Sequence, residues 1–137
     1  PLAHLETTFI NWHTSTSNAA RINYLMNPQV KRRRPYWVFD ATMDDSTSNT
    51  CEACNGTILP AGHRWFLTHT QPLHHRCRSS VQGVTNRRAE ILGGSRKRAP
   101  SSKKTAPAEG FGRQVLEAWE PTTEHYPAGF KPAKRPV

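Results

Sequence analysis

No apolar run in this sequence approaches the roughly 20 residues a membrane-spanning helix requires, and the start lacks the basic-then-apolar order of a signal peptide. The expectation is synthesis in the cytosol and no membrane partner. Cysteine is scarce and odd in number, with three in 137 residues, so a closed disulfide framework cannot use all of them. Apolar residues make up only 35% of the chain while Pro and Gly together number 19, which excludes a globule packed from end to end. The thin core that remains is the kind that benefits from a metal staple. Acidic residues are also few, 10 against 19 Lys and Arg, leaving a net charge of +9. That excess favours a polyanionic partner such as nucleic acid, an acidic protein face or a membrane surface, without choosing among them.

What is present falls into two composition zones. Residues 5–26 carry Leu5, Phe9, Trp12, Thr16, Ala19, Ile22 and Met26 at steps of three or four, predicting one amphipathic helix that Pro28 ends. Its centre, Thr14 to Asn18, is polar and a weak helix former, so the helix is expected to need packing partners. Lys31, Arg32, Arg33 and Arg34 then make a compact basic run closed by Pro35. Tyr36 to Phe39 reads as a strand, Asp40 to Thr50 as a turn-rich stretch, Arg64–Thr68 as a second strand and Arg78–Val84 as a third. Thr85 to Leu92 predicts one or two helical turns with Thr85 as N-cap and Gly93-Gly94 as the stop. From 93 onward the sequence becomes basic, small and aperiodic, with Arg96, Lys97, Arg98, Lys103 and Lys104 marking an extended arm. A short helix is expected over 114–119 and an extended end over 127–137. The predicted architecture is α+β: an N-terminal amphipathic helix packed on a small zinc-stapled β-rich module over 1–92, with a basic arm over 93–137.

The residues that carry chemistry are Cys51-x2-Cys54, followed after 19 residues by His74-His75-Arg76-Cys77. A CxxC places two thiolates on one tight turn, and His-x2-Cys mirrors that spacing. Cys51, Cys54, His74 and Cys77 thus form a closed three-sulfur, one-nitrogen set for structural Zn²⁺, with His75 as the alternative to His74. A closed set leaves no position for a reacting water, so no catalytic residue and no small-molecule substrate are expected. His63 and His69 are weaker candidates. Buried or free thiols with surface histidines are the alternative to a metal, and a CxxC redox pair lacks a surrounding thioredoxin-like pattern. Trp37, Trp65 and Phe66 are expected as core beside the site.

The run Arg34-Pro35-Tyr36-Trp37-Val38-Phe39-Asp40-Ala41, with Asp44-Asp45 and Thr50-Cys51, resembles phage minor head proteins of the phage Mu F-like head-morphogenesis family. The likeness continues through Cys51-x2-Cys54-x-Gly56, Trp65 and Gln71-Pro72-Leu73-His74-His75-Arg76-Cys77-Arg78. It includes Asn18-Ala19-Ala20-Arg21 and covers about residues 5 to 92, with a fainter echo at Gly129-Phe130. Ser79 stands where the family has its last cysteine, so Cys77 is the sole sulfur of that segment. Family members are usually longer, with a helical N-terminal region that this sequence lacks. The resemblance implies a virion protein of the phage head, present in the host cytoplasm during assembly. It would act in head assembly or stabilisation, with the major capsid protein, the portal and packaged DNA as partners.

Three other readings stand beside it. A capsid cement or decoration protein would use the same arms on neighbouring subunits. A nucleic-acid-binding zinc module would use the 31–34 run for phosphates and Tyr36 or Trp37 for stacking, although the spacing is not that of a Cys2His2 finger. A His-Asn-His nuclease would need a second metal-binding constellation; Asn86 has no histidine between it and His125.

Overall fold

The computed structural model describes residues 2–93, 99–101 and 103–113. The basic residues Arg96, Lys97 and Arg98 and the elements expected over 114–119 and 127–137 lie outside the described residues. The chain folds as a mixed α/β body: α1 (Leu2–Met26), α2 (Pro28–Arg33), β1 (Tyr36–Asp40), α3 (Asn49–Cys54), β2 (Ile58–Pro60), α4 (Trp65–Thr68), β3 (Ser80–Val84) and α5 (Asn86–Ile91). A 3-10 turn covers Lys103–Thr105.

The sheet has three antiparallel strands in the order β2-β1-β3. Alternation along β1 sends Trp37 and Phe39 to one face, where they join Leu59, Val81, Trp65, Phe66 and Leu73 in the main core. Val38, on the other face, packs with Ile58 and with Ala89 of α5. Burial on both faces is what a central strand with a continuous apolar run implies. The aromatic rings meet edge to face, Trp37 on Phe66 and Trp65 on both Phe39 and Phe66. Trp37 lies opposite Gly83 in the register. A Cβ at Gly83 would sit 2.5 Å from Leu25 Cδ2, so this glycine lets the end of α1 close onto β3.

Local chemistry explains most boundaries. Pro28 ends α1 and opens α2 at its first turn, where a missing N–H costs nothing, and Asn27 caps that turn by accepting from Gln29. Ser48 caps α3 and Thr85 caps α5, each accepting a backbone N–H with its hydroxyl.

Three expectations need correction. Arg64–Thr68 is not a strand: Trp65–Thr68 forms a helical turn, held by Thr70 Oγ1 donating to the Phe66 carbonyl and by His69 stacked on Trp65 four residues earlier. The polar stretch 40–50 ends in α3, which carries the CxxC pair on a helix rather than on a turn. The packing face of α1 is also different. Ala19 and Ile22 are buried, but Leu5, Phe9, Trp12 and Met26 of the predicted stripe are exposed. The face that meets the module passes through Asn11, Thr14 and Asn18 before reaching Ile22 and Leu25, because side-chain hydrogen bonds to the 76–79 backbone determine it.

Residues 99–101 and 103–113, expected within the arm, pack back on the module. Trp65 Nε1 donates to the Pro100 carbonyl, and the Ala108 and Gly112 amides donate to Leu73 and Pro72. Gly112, at φ +81°, lies so close to Thr68 and Pro107 that a Cβ would clash with both.

Candidate metal centre

Cys51, near the middle of α3, and His74 and Cys77, in the loop before β3, bring their ligand atoms within 4.8 Å of one another. Both cysteines are buried and His74 is half-buried. The Cys51 and Cys77 sulfurs are 3.7 Å apart, and His74 Nε2 is 3.1 Å from the Cys51 sulfur. Two sulfurs bound at about 2.3 Å to one tetrahedral ion would be about 3.8 Å apart, and a sulfur and a nitrogen about 3.6 Å. The sulfur–sulfur separation suits one shared tetrahedral ion and the sulfur–nitrogen separation would have to open by about 0.5 Å, so the three donors could hold a metal ion.

His74 is oriented for such a role. Its Nδ1 is 2.8 Å from the His75 carbonyl. A carbonyl only accepts, so Nδ1 carries the proton and Nε2 keeps its lone pair for a metal. Nε2 accepts from the Ser48 hydroxyl at 2.8 Å.

The two close sulfurs lie within hydrogen-bond reach of each other. The Cys77 thiol is drawn down to about 5, chiefly by a hydrogen bond from Cys51, with further backbone donors helping against the cost of burial. The Cys51 thiol is pushed up, because it is the donor in that bond and is buried. Cys77 is thus the member of the pair that gives up its proton more readily, and a thiolate is the form that a metal binds.

Cys54 lies one turn on from Cys51 in α3. Its sulfur donates to the Thr105 carbonyl at 3.8 Å and stands outside the three-ligand cluster. Burial, and then the Cys77 thiolate, push the Cys54 thiol up to about 11. His75 is turned away, with Nδ1 2.8 Å from Asn11 Nδ2 and its ring edge-on to Phe111. His63 Nδ1 accepts from the Trp65 amide, and His69 lies flat on the Trp65 indole.

The ligand loop is held from outside by α1. Asn11 Oδ1 accepts from the Arg76 amide at 2.7 Å, Thr14 donates to the Cys77 carbonyl, and Asn18 donates to the Ser79 carbonyl. Arg76 sits at φ +58°, a left-handed conformation unusual for a residue with a side chain, and pairs with Glu6. On the other side Arg78 makes a two-pronged pair with Asp44, both bonds 2.6 Å. Asn11, Thr14 and Ser48 were not singled out as site residues; a Ser three residues before the CxxC was the one available signal, as a helix cap. The notch over the cluster, lined by Thr42, Ser48, His74 and Ser79 among others, has about 10 Å³ of free volume. That is room for about one water molecule.

Of the basic residues, Lys31, Arg32 and Arg33 lie in α2 and Arg34 caps it, with Arg34 Nη1 donating to the Gly83 carbonyl. Lys103 and Lys104 are exposed on the 3-10 turn. Comparisons with protein-family models, with curated proteins and with solved structures return no match.

Proposed function

We propose that this chain is a non-catalytic structural module stapled by one Zn²⁺, serving as a minor head protein of a tailed phage in head assembly or stabilisation. The staple rests on one observation: two buried thiols and an oriented imidazole converge with separations suited to a single tetrahedral ion. Cys51, His74 and Cys77 would hold the ion, and Cys54 would complete the set by turning its sulfur from the Thr105 carbonyl. Bound there, the zinc would tie α3 to the loop before β3, supplying cross-linking energy to a core that is short of apolar surface.

A structural role suits the surroundings. The notch over the cluster admits about one water, far below the several hundred Å³ of a substrate pocket. The phage-head role rests on the sequence resemblance. In it, major capsid protein and portal are the protein partners, and packaged DNA is met by Lys31, Arg32, Arg33, Lys103 and Lys104.

Elemental analysis of the purified chain tests the staple, with about one zinc per chain expected and reduced content in Cys54→Ser. Less than about 0.2 zinc per chain after refolding with excess Zn²⁺ would remove it. Quantitative mass spectrometry of purified heads tests the virion role, which absence of the chain from mature and precursor heads would overturn.

A nucleic-acid-binding module is the second reading, favoured by the exposed Arg32 and Arg33 and the half-buried Lys31 on α2, just before β1. It requires steep salt dependence of duplex binding. No binding at about 50 mM salt would eliminate it.

A further inference from the structure

The apolar residues in the first half of α1 present a heptad seam that is largely exposed among the described residues, with the His13 ring of the same helix stacked on Phe9. Leu2, Leu5, Phe9 and Trp12 are 83%, 64%, 64% and 66% exposed. Their spacing of three, four and three residues is that of the a and d positions of a two-stranded coiled coil. Thr16, next in the repeat, ends the seam, since its hydroxyl bonds to the Trp12 and His13 carbonyls of its own helix. The opposite face is held by Asn11, Thr14 and Asn18, and the Glu6–Arg76 pair lies on one flank of the seam. Four large apolar side chains are therefore displayed on a fixed helix instead of being tucked into the core, and the three aromatic or aliphatic turns behave as one patch.

Charge says what does not bind here. The chain carries +9 overall, yet its first 20 residues contain no Lys or Arg and one acidic residue, Glu6, which is already paired with Arg76. A face so stripped of cations is not aimed at nucleic acid or at an acidic surface. It calls for an apolar helix.

The sizes along the seam identify one that fits. Small side chains lie at its start, Leu2 and Leu5, and large ones at its end, Phe9 and Trp12. A parallel pair of such helices would set tryptophan against tryptophan and leave leucines facing across a gap. An antiparallel pair, two-fold about residue 7, sets Leu2 against the partner's Trp12 and Leu5 against the partner's Phe9, so that large meets small at every layer. In that arrangement the Glu6 side chains of the two copies share one flank, each already paired with the Arg76 of its own copy.

We propose that the first half of α1 is a self-complementary dimerisation seam, closed by a second copy of this chain in antiparallel register. Eight such side chains would bury roughly 1,000 Å² over the two copies, near the lower limit for a specific interface. The dimer is accordingly weak, with a dissociation constant on the order of 10 µM.

Velocity sedimentation of the zinc-loaded full chain from about 1 to 300 µM, in about 0.3 M salt to screen the net charge, provides the test. The weight-average sedimentation coefficient should climb from the monomer toward the dimer value. Trp12→Glu should weaken association at least about tenfold. Because all four positions are exposed in the single chain, unchanged circular dichroism and zinc content separate loss of pairing from loss of fold. The register is tested by exchanging sizes: Leu2→Trp alone should weaken the dimer about tenfold, and Leu2→Trp with Trp12→Leu should restore it to within about threefold. A chain that stays monomeric at 300 µM overturns the proposal and leaves the seam to a helix of another protein. A dimer indifferent to Trp12→Glu, or a double exchange no better than Leu2→Trp, overturns it equally.

Discussion

At β1 the interior consists of Trp37, Phe39, Leu59 and Val81, packed ring to edge and bordered by backbone ladders on both sides. At the 71–79 loop, a few ångströms further along the same core, the interior consists of two thiols and an imidazole, and the backbone bonds run out to Asn11, Thr14 and Asn18 of α1. The sheet end is apolar throughout, apart from the buried Trp37 Nε1, which has no partner among the described residues. The loop end has exchanged apolar packing for donor atoms, keeps Arg76 left-handed, and buries Gln71 with no partner for its amide nitrogen or oxygen among the described residues. On the proposed reading, a metal ion joining the donors would supply the stability that apolar packing supplies at the sheet end. The difference shows where a small core stops relying on the hydrophobic effect.

The largest expected effect separates the two ends directly. If the proposed staple holds, Cys77→Ser or chelation should cost several kcal/mol, since metal binding to a site absent from the unfolded chain is folding free energy. Phe39→Ala should cost about 3–5 kcal/mol by leaving a cavity beside Trp65. The magnitudes overlap, but the patterns differ. Under native hydrogen exchange, Cys77→Ser should expose the amides of 71–79 and α3 first and leave the β1–β3 ladder protected longest. Phe39→Ala should lower protection of the ladder while keeping zinc at one per chain. Simultaneous loss of loop and ladder in Cys77→Ser would show that the two ends are one cooperative unit and erase the contrast.

A smaller effect tests whether α1 is part of the metal end. Asn11 clamps the Arg76 amide and the His75 ring at once. Asn11→Ala should cost about 1–2 kcal/mol in stability and lower zinc affinity by about tenfold, as the loss of an outer support for a ligand loop does. Thr16→Ala is the control, because the Thr16 hydroxyl bonds only within its own exposed turn. Competition with a chromophoric chelator measures both. Equal affinity in the two variants would mean that the loop holds its form without the helix.

These two ends were not equally legible in the sequence. Strand β1, strand β3 and the Thr85 cap follow from β-branched and aromatic runs and from capping chemistry, all of which act over a few neighbouring residues. Strand β2 escaped because three residues ending in a proline give no alternation to detect. Trp65–Thr68 was misread for a related reason: aromatic and aliphatic residues in a short run suit either state, and the contacts that settle it, His69 on Trp65 and Thr70 on Phe66, are made only once the turn has formed. The ligand spacing points to Cys51, Cys54, His74 and Cys77, because two short segments with paired donors separated by two residues are constrained locally, one on α3 and one in the loop before β3. It could not show the direction of the Cys54 sulfur, which depends on Thr105, 51 residues away. Nor could it show which face of α1 packs. Periodicity favoured Leu5, Phe9 and Trp12, while Asn11 and Thr14 won by bonding to backbone more than 60 residues distant.

The smallest effect is electrostatic and bears on the rim of the metal end. The Arg78 guanidinium beside Asp44 holds its carboxyl at about 2, helped by the Ser46 amide. A carboxyl depressed on folding contributes stability that is present above its unfolded value near 4 and is lost as pH falls through about 2. Both groups are exposed, so the contribution to folding is minor and salt should reduce it further. The titration itself is the cleaner readout. By carbon-detected NMR, Asp44 should titrate near 2 in the natural chain and return toward 4 in Arg78→Gln, with the His74 and Cys77 resonances moving little. If removing Arg78 shifted those ligands as strongly as Asn11→Ala does, the 42–47 loop would be a second clamp on the metal loop, and the site would be supported from both sides instead of from α1 alone.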